Sequence, residues 1–314
     1  HVPLFAAKYA YLHLRRRPIL VHFEVTMRCN ARCDFCSYWQ TAPETRHRES
    51  KGFADAARYF NPIMITFTGG EPLLRRDLED VVAGVARAVS LSYIALITHG
   101  GSLTPERARS LWDAGIDQFN ISLDYLDERH DRARGIPDLT RRIFDTIPAM
   151  RGAGIDGIRF NTVIKSDNLD QLVPIVHRAA ELGAGVLFST YTALKNGNDA
   201  HSLRAEHLPE LEAVVAELLA YKRRRRGVIV SSDHYLRQVP RWVRGEMGEP
   251  CHSGLRTIHV DPRGFVRRCP DFPTDFHWTA FRSYQPIACD ACFYACRGEA
   301  QAPLTLSRIR DVTA

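Results

Sequence analysis

Between residues 20 and 222 short runs rich in β-branched and aromatic residues alternate with longer amphipathic ones, a pattern that few folds can accommodate. Strands are expected at 20–25, 63–68, 93–98, 118–123, 157–164 and 185–190, with helices at 77–89, 105–114, 139–151, 169–182 and 208–222. Strands of this length separated by amphipathic helices read as parallel βαβ units. Six such strands suit an α/β fold, an open, partial (βα)6 TIM-like barrel with its chemistry at the carboxyl-terminal rim. Helix-boundary residues agree: Thr104-Pro105-Glu106 reads as an N-cap with Pro at the first helical position, and Gly115 and Gly183 stand where helices should stop.

Directly after the first strand comes a C-x3-C-x2-C run, Cys29, Cys33 and Cys36. Three thiolates on one short loop hold three irons of a four-iron cubane and leave the fourth iron open to a non-protein ligand. The same residue types near a histidine also make zinc sites, so spacing alone leaves both open. At the end of the second strand stands Gly69-Gly70-Glu71-Pro72. Two glycines let backbone approach a ligand closely, and a carboxylate beside exposed carbonyls suits an ammonium group.

Together these segments closely resemble the radical S-adenosylmethionine (radical SAM) superfamily, and the resemblance extends over the whole alternating region. It implies a 4Fe-4S cluster on Cys29, Cys33 and Cys36, with S-adenosylmethionine chelating the open iron through its amine and carboxylate. Gly69, Gly70 and Glu71 would recognise that amine, Phe35 would lie near the adenine, and Thr98 in Thr98-His99-Gly100 would contact the nucleoside. Ser122 and Asp124 occupy the strand end from which relatives reach the ribose, Asn161 would face the cofactor, and Arg134 would pair with the methionine carboxylate. His99 replaces an asparagine common in relatives; His99 and Asp124 are by position the substrate-side bases, although a rim histidine bonded only to its neighbours is the plainer reading. Tyr125 and Tyr191 read as walls of the site.

A second cysteine group comprises Cys251, Cys269, Cys289, Cys292 and Cys296. A hairpin, 257–260 turning through Asp261-Pro262-Arg263-Gly264 into 265–268, would bring Cys251 and Cys269 together. Four soft ligands so assembled suit iron-sulfur or zinc. The pattern C-x12-G-x4-C followed by C-x2-C resembles the twitch extension, a shortened form of the SPASM domain, of some radical SAM enzymes. That resemblance implies one auxiliary 4Fe-4S cluster on Cys251, Cys269, Cys289 and Cys292. Cys296 is then left over, as a buried thiol, an alternative ligand or a hydrogen-atom donor to a substrate radical.

A chain of 314 residues with 45% hydrophobic content divides on this reading into an N-terminal amphipathic helix (1–17), the barrel (18–226) and a cysteine-rich auxiliary domain (227–314). Eight cysteines in two groups are no secreted disulfide framework, so a reducing cytoplasm is expected. The net charge of +6 is enough to steer an anionic substrate or an acidic electron donor such as flavodoxin or ferredoxin, and too weak to indicate nucleic acid. Residues 3–14 are apolar and lead into Arg15-Arg16-Arg17, a layout compatible with peripheral contact to anionic lipid; a helix covering the barrel is the default. The run Lys222-Arg223-Arg224-Arg225-Arg226 reads as a solvated helix end.

The resemblance also implies the reaction: reductive cleavage of S-adenosylmethionine and hydrogen abstraction from an unactivated carbon, leading to oxidation, epimerisation or rearrangement. A polar small molecule, carbohydrate- or aminocyclitol-like, is the expected substrate, with a lipid as the rival. A peptide ranks lower because fewer than thirty residues precede the cysteine loop. The enzyme that begins molybdopterin synthesis is disfavoured by the lack of a diglycine tail after Arg308. A zinc-stapled scaffold or nucleic-acid-binding protein is the non-enzyme alternative.

Overall fold

A computed structural model describes residues 2–41, 50–284 and 289–303. The tail from Arg308 onward lies outside these residues. The strands are β1 (Leu20–Thr26), β2 (Met64–Gly69), β3 (Tyr93–Thr98), β4 (Gln118–Ser122), β5 (Ile158–Ile164), β6 (Gly185–Thr190), β7 (Thr257–Val260), β8 (Phe265–Arg267) and β9 (Phe276–His277). They form one sheet in the order β6-β5-β4-β3-β2-β1-β7-β8-β9, parallel from β6 through β7. Sequential parallel neighbours, each reached through a helix, are the expected partial barrel.

The helices are α1 (Val2–Leu14), α2 (Ser50–Phe60), α3 (Leu78–Ala88), α4 (Pro105–Ala114), α5 (Glu128–Arg134), α6 (Leu139–Gly152), α7 (Leu169–Glu181), α8 (Leu208–Arg224), α9 (Asp233–Val243) and α10 (Ala295–Gln301). The expected stop signals operate. Thr104 Oγ1 accepts from Arg107 N at 3.2 Å to cap α4, and Gly115 ends that helix at φ +118, where a Cβ would also strike Ala86. Helices α2, α5, α9 and α10 are not among the expected elements: α5 and α10 are only about two turns long, and charged residues interrupt the apolar spacing of α2 and α9.

Period-2 alternation separates two faces of the sheet. Phe23, Phe67, Phe119, Phe160 and Phe188 face the helical layer and are fully buried among Phe53, Val81, Leu111, Ile147 and Val176. Each contributes roughly 1.5–3 kcal/mol by leaving water. The opposite face lines the barrel lumen and is polar: His22, Glu24 and Thr26 on β1, Thr66 and Thr68 on β2, Asn120 and Ser122 on β4, and Arg159 and Asn161 on β5. Along β5 the lumen residues Arg159, Asn161 and Val163 are half-buried while their alternating neighbours are buried, so this face stays open to solvent.

The predicted hairpin forms, but it does not stand apart from the barrel. Strand β7 pairs in parallel with β1, Leu20 opposite Thr257 and Phe23 opposite Val260, and thereby extends the barrel's own sheet. At the other edge residues 228–230 bond to Val186 of β6, and α10 touches both β6 and β7. The cysteine-rich segment therefore spans the gap between the two edges.

Helix α1 buries only Leu12 among its described side chains and leaves Leu4, Tyr11 and Leu14 at 54, 55 and 81% exposure. Lys8 anchors it, its Nζ donating to the carbonyls of Pro62 at 2.8 Å and Ser90 at 2.6 Å below β2 and β3. Of the basic run that ends α8, Arg223 to Arg226 are exposed as expected. Lys222 is instead buried, donating to Ser231 O at 2.8 Å and pairing with Asp233. No described helix is long and apolar enough to cross a membrane.

Candidate active site

The three-cysteine loop leaves β1 at the lumen's carboxyl-terminal rim and is held by backbone contacts that only glycine permits. Gly70 N donates to Thr26 O at 2.8 Å and Glu71 N to Arg28 O at 2.7 Å, so the Gly-Gly-Glu segment lies directly on the start of the loop. A Cβ on Gly69 would come within 2.2 Å of Thr26 O, and one on Gly70 within 2.2 Å of Arg28 O. Gly69 also needs φ +137, which side chains disfavour. Burial pushes the Cys29 thiol up to about 11, with Glu71, Cys33 and Cys36 adding to the shift. Cys33 is raised too, by burial first, with Arg134 pulling the other way. Thiols that raise one another lie close together, and a metal ion bound there would have to displace their protons.

Glu71 is 1% exposed, and its oxygens accept from Leu73 N (3.1 Å), Thr98 Oγ1 (2.6 Å) and His99 N (2.9 Å). Thr98 also accepts from Gly100 N at 2.9 Å. Both side chains, expected to meet the cofactor, are first of all a strut between the ends of β2 and β3. His99 completes it. Its Nδ1 accepts from Gly101 N at 2.9 Å, so Nε2 carries the hydrogen and donates to Asn30 Oδ1 at 2.9 Å within the cysteine loop. Burial, only partly offset by Glu71, holds its pKa below the ordinary histidine value. With Nε2 also 3.2 Å from Glu71 Oε2, His99 is bonded to its neighbours on both nitrogens and braces the loop, the plainer of the two readings.

Asp124 is engaged by its neighbours in the same way. It is fully buried, with Oδ2 2.6 Å from Arg134 Nη2 and Oδ1 accepting from Val163 N at 2.9 Å. Burial raises its pKa, and Arg134, then Lys165 and His130, more than reverse that, leaving the carboxyl below its usual range. This buried carboxylate, bonded on both oxygens, orients Arg134. Arg134 Nη1 points at Cys33 Sγ, 3.8 Å away, and its guanidinium lies 4.9 Å from the centre of the Phe35 ring. Its Nε is buried without an acceptor, a donor held ready for an anion. Ser122 and Asn161 are register partners on β4 and β5, and neither side chain bonds to a described residue. Phe35 is also framed edge-on by Tyr191 and His201.

Several residues of the site carried no clear signal in the sequence. Lys165 and Asp167 follow β5 directly, the rim position where function concentrates, and could have been found by that rule. Lys165 Nζ donates to Tyr125 OH at 2.8 Å, and Tyr125 donates to Asp167 at 2.7 Å. His201 bridges Asp167 and Asp34 at 3.1 and 3.0 Å and ties the segment after β6 to the cysteine loop. Asn196 donates to Asp34 O at 2.7 Å for the same effect. Tyr125 and Tyr191, the latter donating to Asn198 O, are tied into the framework of the rim.

Glu24, Tyr38, His259 and Arg267 form a further buried cluster in the lumen. Glu24 accepts from Tyr38 OH at 3.0 Å, pairs closely with Arg267 Nη2, and lies 3.3 Å from His259 Nδ1. Burial pushes Glu24 up, but His259 and Arg267 bring it down to about 2. The His22 and His259 rings stack beneath at 4.4 Å.

The second cysteine group gathers where the hairpin meets α10. Cys251 N donates to Cys289 O at 3.0 Å, and buried Arg297 ties Cys292 O to Glu249 O. Burial pushes Cys269 and Cys292 each up to about 12. Cys296 is raised as well, first by burial and then by Cys292, Cys269 and Cys251, which places the expected spare thiol among the others. Among the described residues no three His, Cys, Asp or Glu side chains converge on one ion as a mononuclear zinc site requires. The same holds for the first cysteine group, and thiolate donors of this kind suit iron-sulfur or zinc alike.

A cavity of about 310 Å³ separates the two groups, lined by Ser37 and Tyr38 beside Cys36, by Lys195, and by Arg267, Pro270 and Asp271 around Cys269.

Comparison with known proteins agrees with this geometry. The family model of the radical SAM superfamily matches residues 23–179. The chain is similar to a GTP 3',8-cyclase of Mycobacterium ulcerans, 37% identical over 147 residues, 45% of this chain and 41% of that protein. It is similar to a probable GTP 3',8-cyclase of Thermoplasma volcanium, 31% identical over 208 residues, 64% of this chain and 63% of that protein. An AdoMet-dependent heme synthase of Methanosarcina barkeri is 32% identical over 172 residues, 53% of this chain and 48% of that protein. The chain thus spans less than two thirds of the length of these curated relatives. Streptococcus suis SuiB bound to S-adenosylmethionine shares the fold, with a TM-score of 0.67 at 14% identity over 86% of this chain and 66% of that one.

Proposed function

The chain belongs to the radical SAM superfamily, and from that premise we propose that it cleaves S-adenosylmethionine reductively and uses the resulting radical on a polar small molecule held between its two cysteine groups. When bound, the cluster and S-adenosylmethionine supply a 5′-deoxyadenosyl radical that removes a hydrogen atom from an unactivated carbon. The observation carrying this reading is the contact of Gly69-Gly70-Glu71 with the cysteine loop through Thr26 O and Arg28 O. Cys29, Cys33 and Cys36 would hold the cluster, and the unsatisfied Nε of Arg134 would meet the methionine carboxylate. Asp124, Lys165 and His99 keep those groups in place, and Ser122, Asn161 and Phe35 form the surface left for the nucleoside.

The relatives named GTP 3',8-cyclase shift the substrate reading from an aminocyclitol toward a nucleotide, and the diglycine argument against that class rests on residues outside the described structure. The second cysteine group would hold the auxiliary cluster beside the substrate, with Cys296 a fifth thiol in reach. A reducing compartment and an acidic electron donor belong to the same proposal. Anaerobic reconstitution tests it. Wild-type protein should release 5′-deoxyadenosine under strong reduction, and Cys33→Ala should release none while retaining roughly half the iron. Zinc without sulfide, or deoxyadenosine from the variant, would overturn it.

A second reading concerns location: the exposed Leu4, Tyr11 and Leu14 of α1, followed by Arg15, Arg16 and Arg17, favour peripheral contact with anionic lipid. Deleting residues 2–14 should abolish sedimentation with phosphatidylserine vesicles, and unchanged sedimentation would remove the idea.

A further inference from the structure

Resting on the reading above, we propose that the cavity between the two cysteine groups reads an anion, and that Lys195 and Arg267 together hold a phosphate or carboxylate of the small-molecule substrate. Both cations line the same space, whose volume of about 310 Å³ lies at the lower end for metabolite pockets.

What singles them out is the hydrogen-bonding capacity they leave unused. Lys195 rests its ammonium 4.5 Å over the Tyr38 ring. That cation–π contact uses none of its N–H groups, and no described oxygen accepts from it. Arg267 Nη2 meets Glu24 and, at 3.5 Å, Tyr38 OH, and Nη1 reaches Pro270 O at a long 3.4 Å. Its Nε is buried with no acceptor. A guanidinium presents its donors in a fixed planar fork, so fixing one edge on Glu24 aims the remaining ones.

Glu24 is itself fully buried and held by Tyr38 OH, so it serves as the backing that orients Arg267 and is closed to a ligand. Buried donors without partners are rare in folded proteins and mark places where a ligand or water completes the shell. Glu24 and Asp271, whose Oδ1 is buried without a donor, balance the two cations in formal charge, so the selection of an anion rests on the unpaired N–H donors. Asp271 lines the cavity on the sulfur side, with Oδ2 4.0 Å from Cys269 Sγ. His22 and His259 are held neutral, chiefly by burial. An oxyanion entering between Tyr38 and Pro270 would be met from both sides by unspent N–H donors.

The chemistry is shared by phosphates and carboxylates, and two probes separate them. Binding of pyrophosphate and of malonate to the anaerobically reconstituted, S-adenosylmethionine-loaded protein is measured by titration calorimetry. At least one should bind saturably, at least tenfold more weakly in Lys195→Gln and undetectably in the double variant Glu24→Gln/Arg267→Gln, which removes the buried pair as a unit. Pyrophosphate alone identifies a phosphate-bearing substrate, and malonate alone a carboxylate. Binding of neither, or binding unchanged in Lys195→Gln, overturns the proposal; Lys195 is half-buried and its ammonium rests on the Tyr38 ring, so that variant decides even if the double variant fails to fold. Deoxyadenosine release by the wild-type protein is scored in parallel. Release without anion binding sinks this inference alone, and anion binding without release sinks the proposed reaction alone.

Discussion

Replacing Asp124 with Asn distinguishes a structural carboxylate from a catalytic base. The side chain is 0% exposed and meets Arg134 Nη2 at 2.6 Å, while Val163 N donates to its other oxygen at 2.9 Å. Asn keeps the shape and the Val163 bond but leaves the Arg134 charge buried beside the Cys33 thiol. Breaking one partner of a buried pair costs about 3–5 kcal/mol, and the retained backbone bond places this variant at the low end, about 3 kcal/mol. With a urea dependence of about 3 kcal/mol per molar for a chain of this size, the unfolding midpoint should fall by about 1 M at pH 7. The pH dependence follows from the depressed carboxyl. A group whose pKa is lowered by folding contributes stability above its unfolded value, about 3.9, and loses it as pH falls through the folded value. The gap between wild type and variant should therefore hold from neutrality to about pH 4 and close below it. An Asn variant as stable as wild type at pH 7, yet without product, would refute the strut and restore the base.

Two further substitutions probe the rest of the site. Gly70→Ala forces a Cβ to within 2.2 Å of Arg28 O, so the cysteine loop must move; iron and sulfide at the first site should drop severalfold while the folded far-ultraviolet signature persists, and full cluster content would contradict the close approach. Cys296→Ala should lower the iron content by about half if this thiol, lying among Cys251, Cys269 and Cys292, is a ligand. Unchanged iron together with loss of solvent-derived hydrogen in the product would make it a donor instead.

The division of labour between sequence and tertiary structure is clearest in the two cysteine groups. The first was legible because its ligands sit within eight consecutive residues after one strand, and local spacing survives any packing. The barrel was legible for a related reason: hydrophobic periods of 2 and 3.6 are written along the chain wherever one face must be buried. Contacts between distant segments were not. His99 and Asp124 sit at strand ends, where catalysts are expected, but only their neighbours Asn30, Gly101 and Arg134 show that they brace the loop. The second cysteine group looked like a separate extension because chain order conceals that β7 pairs with β1 and α10 reaches β6. Glu24, Tyr38 and Arg267 are up to 243 residues apart and meet only through that pairing. Periodicity and spacing report short-range geometry; ion pairs and cavities depend on which surfaces the partial barrel brings face to face, and that is settled in three dimensions.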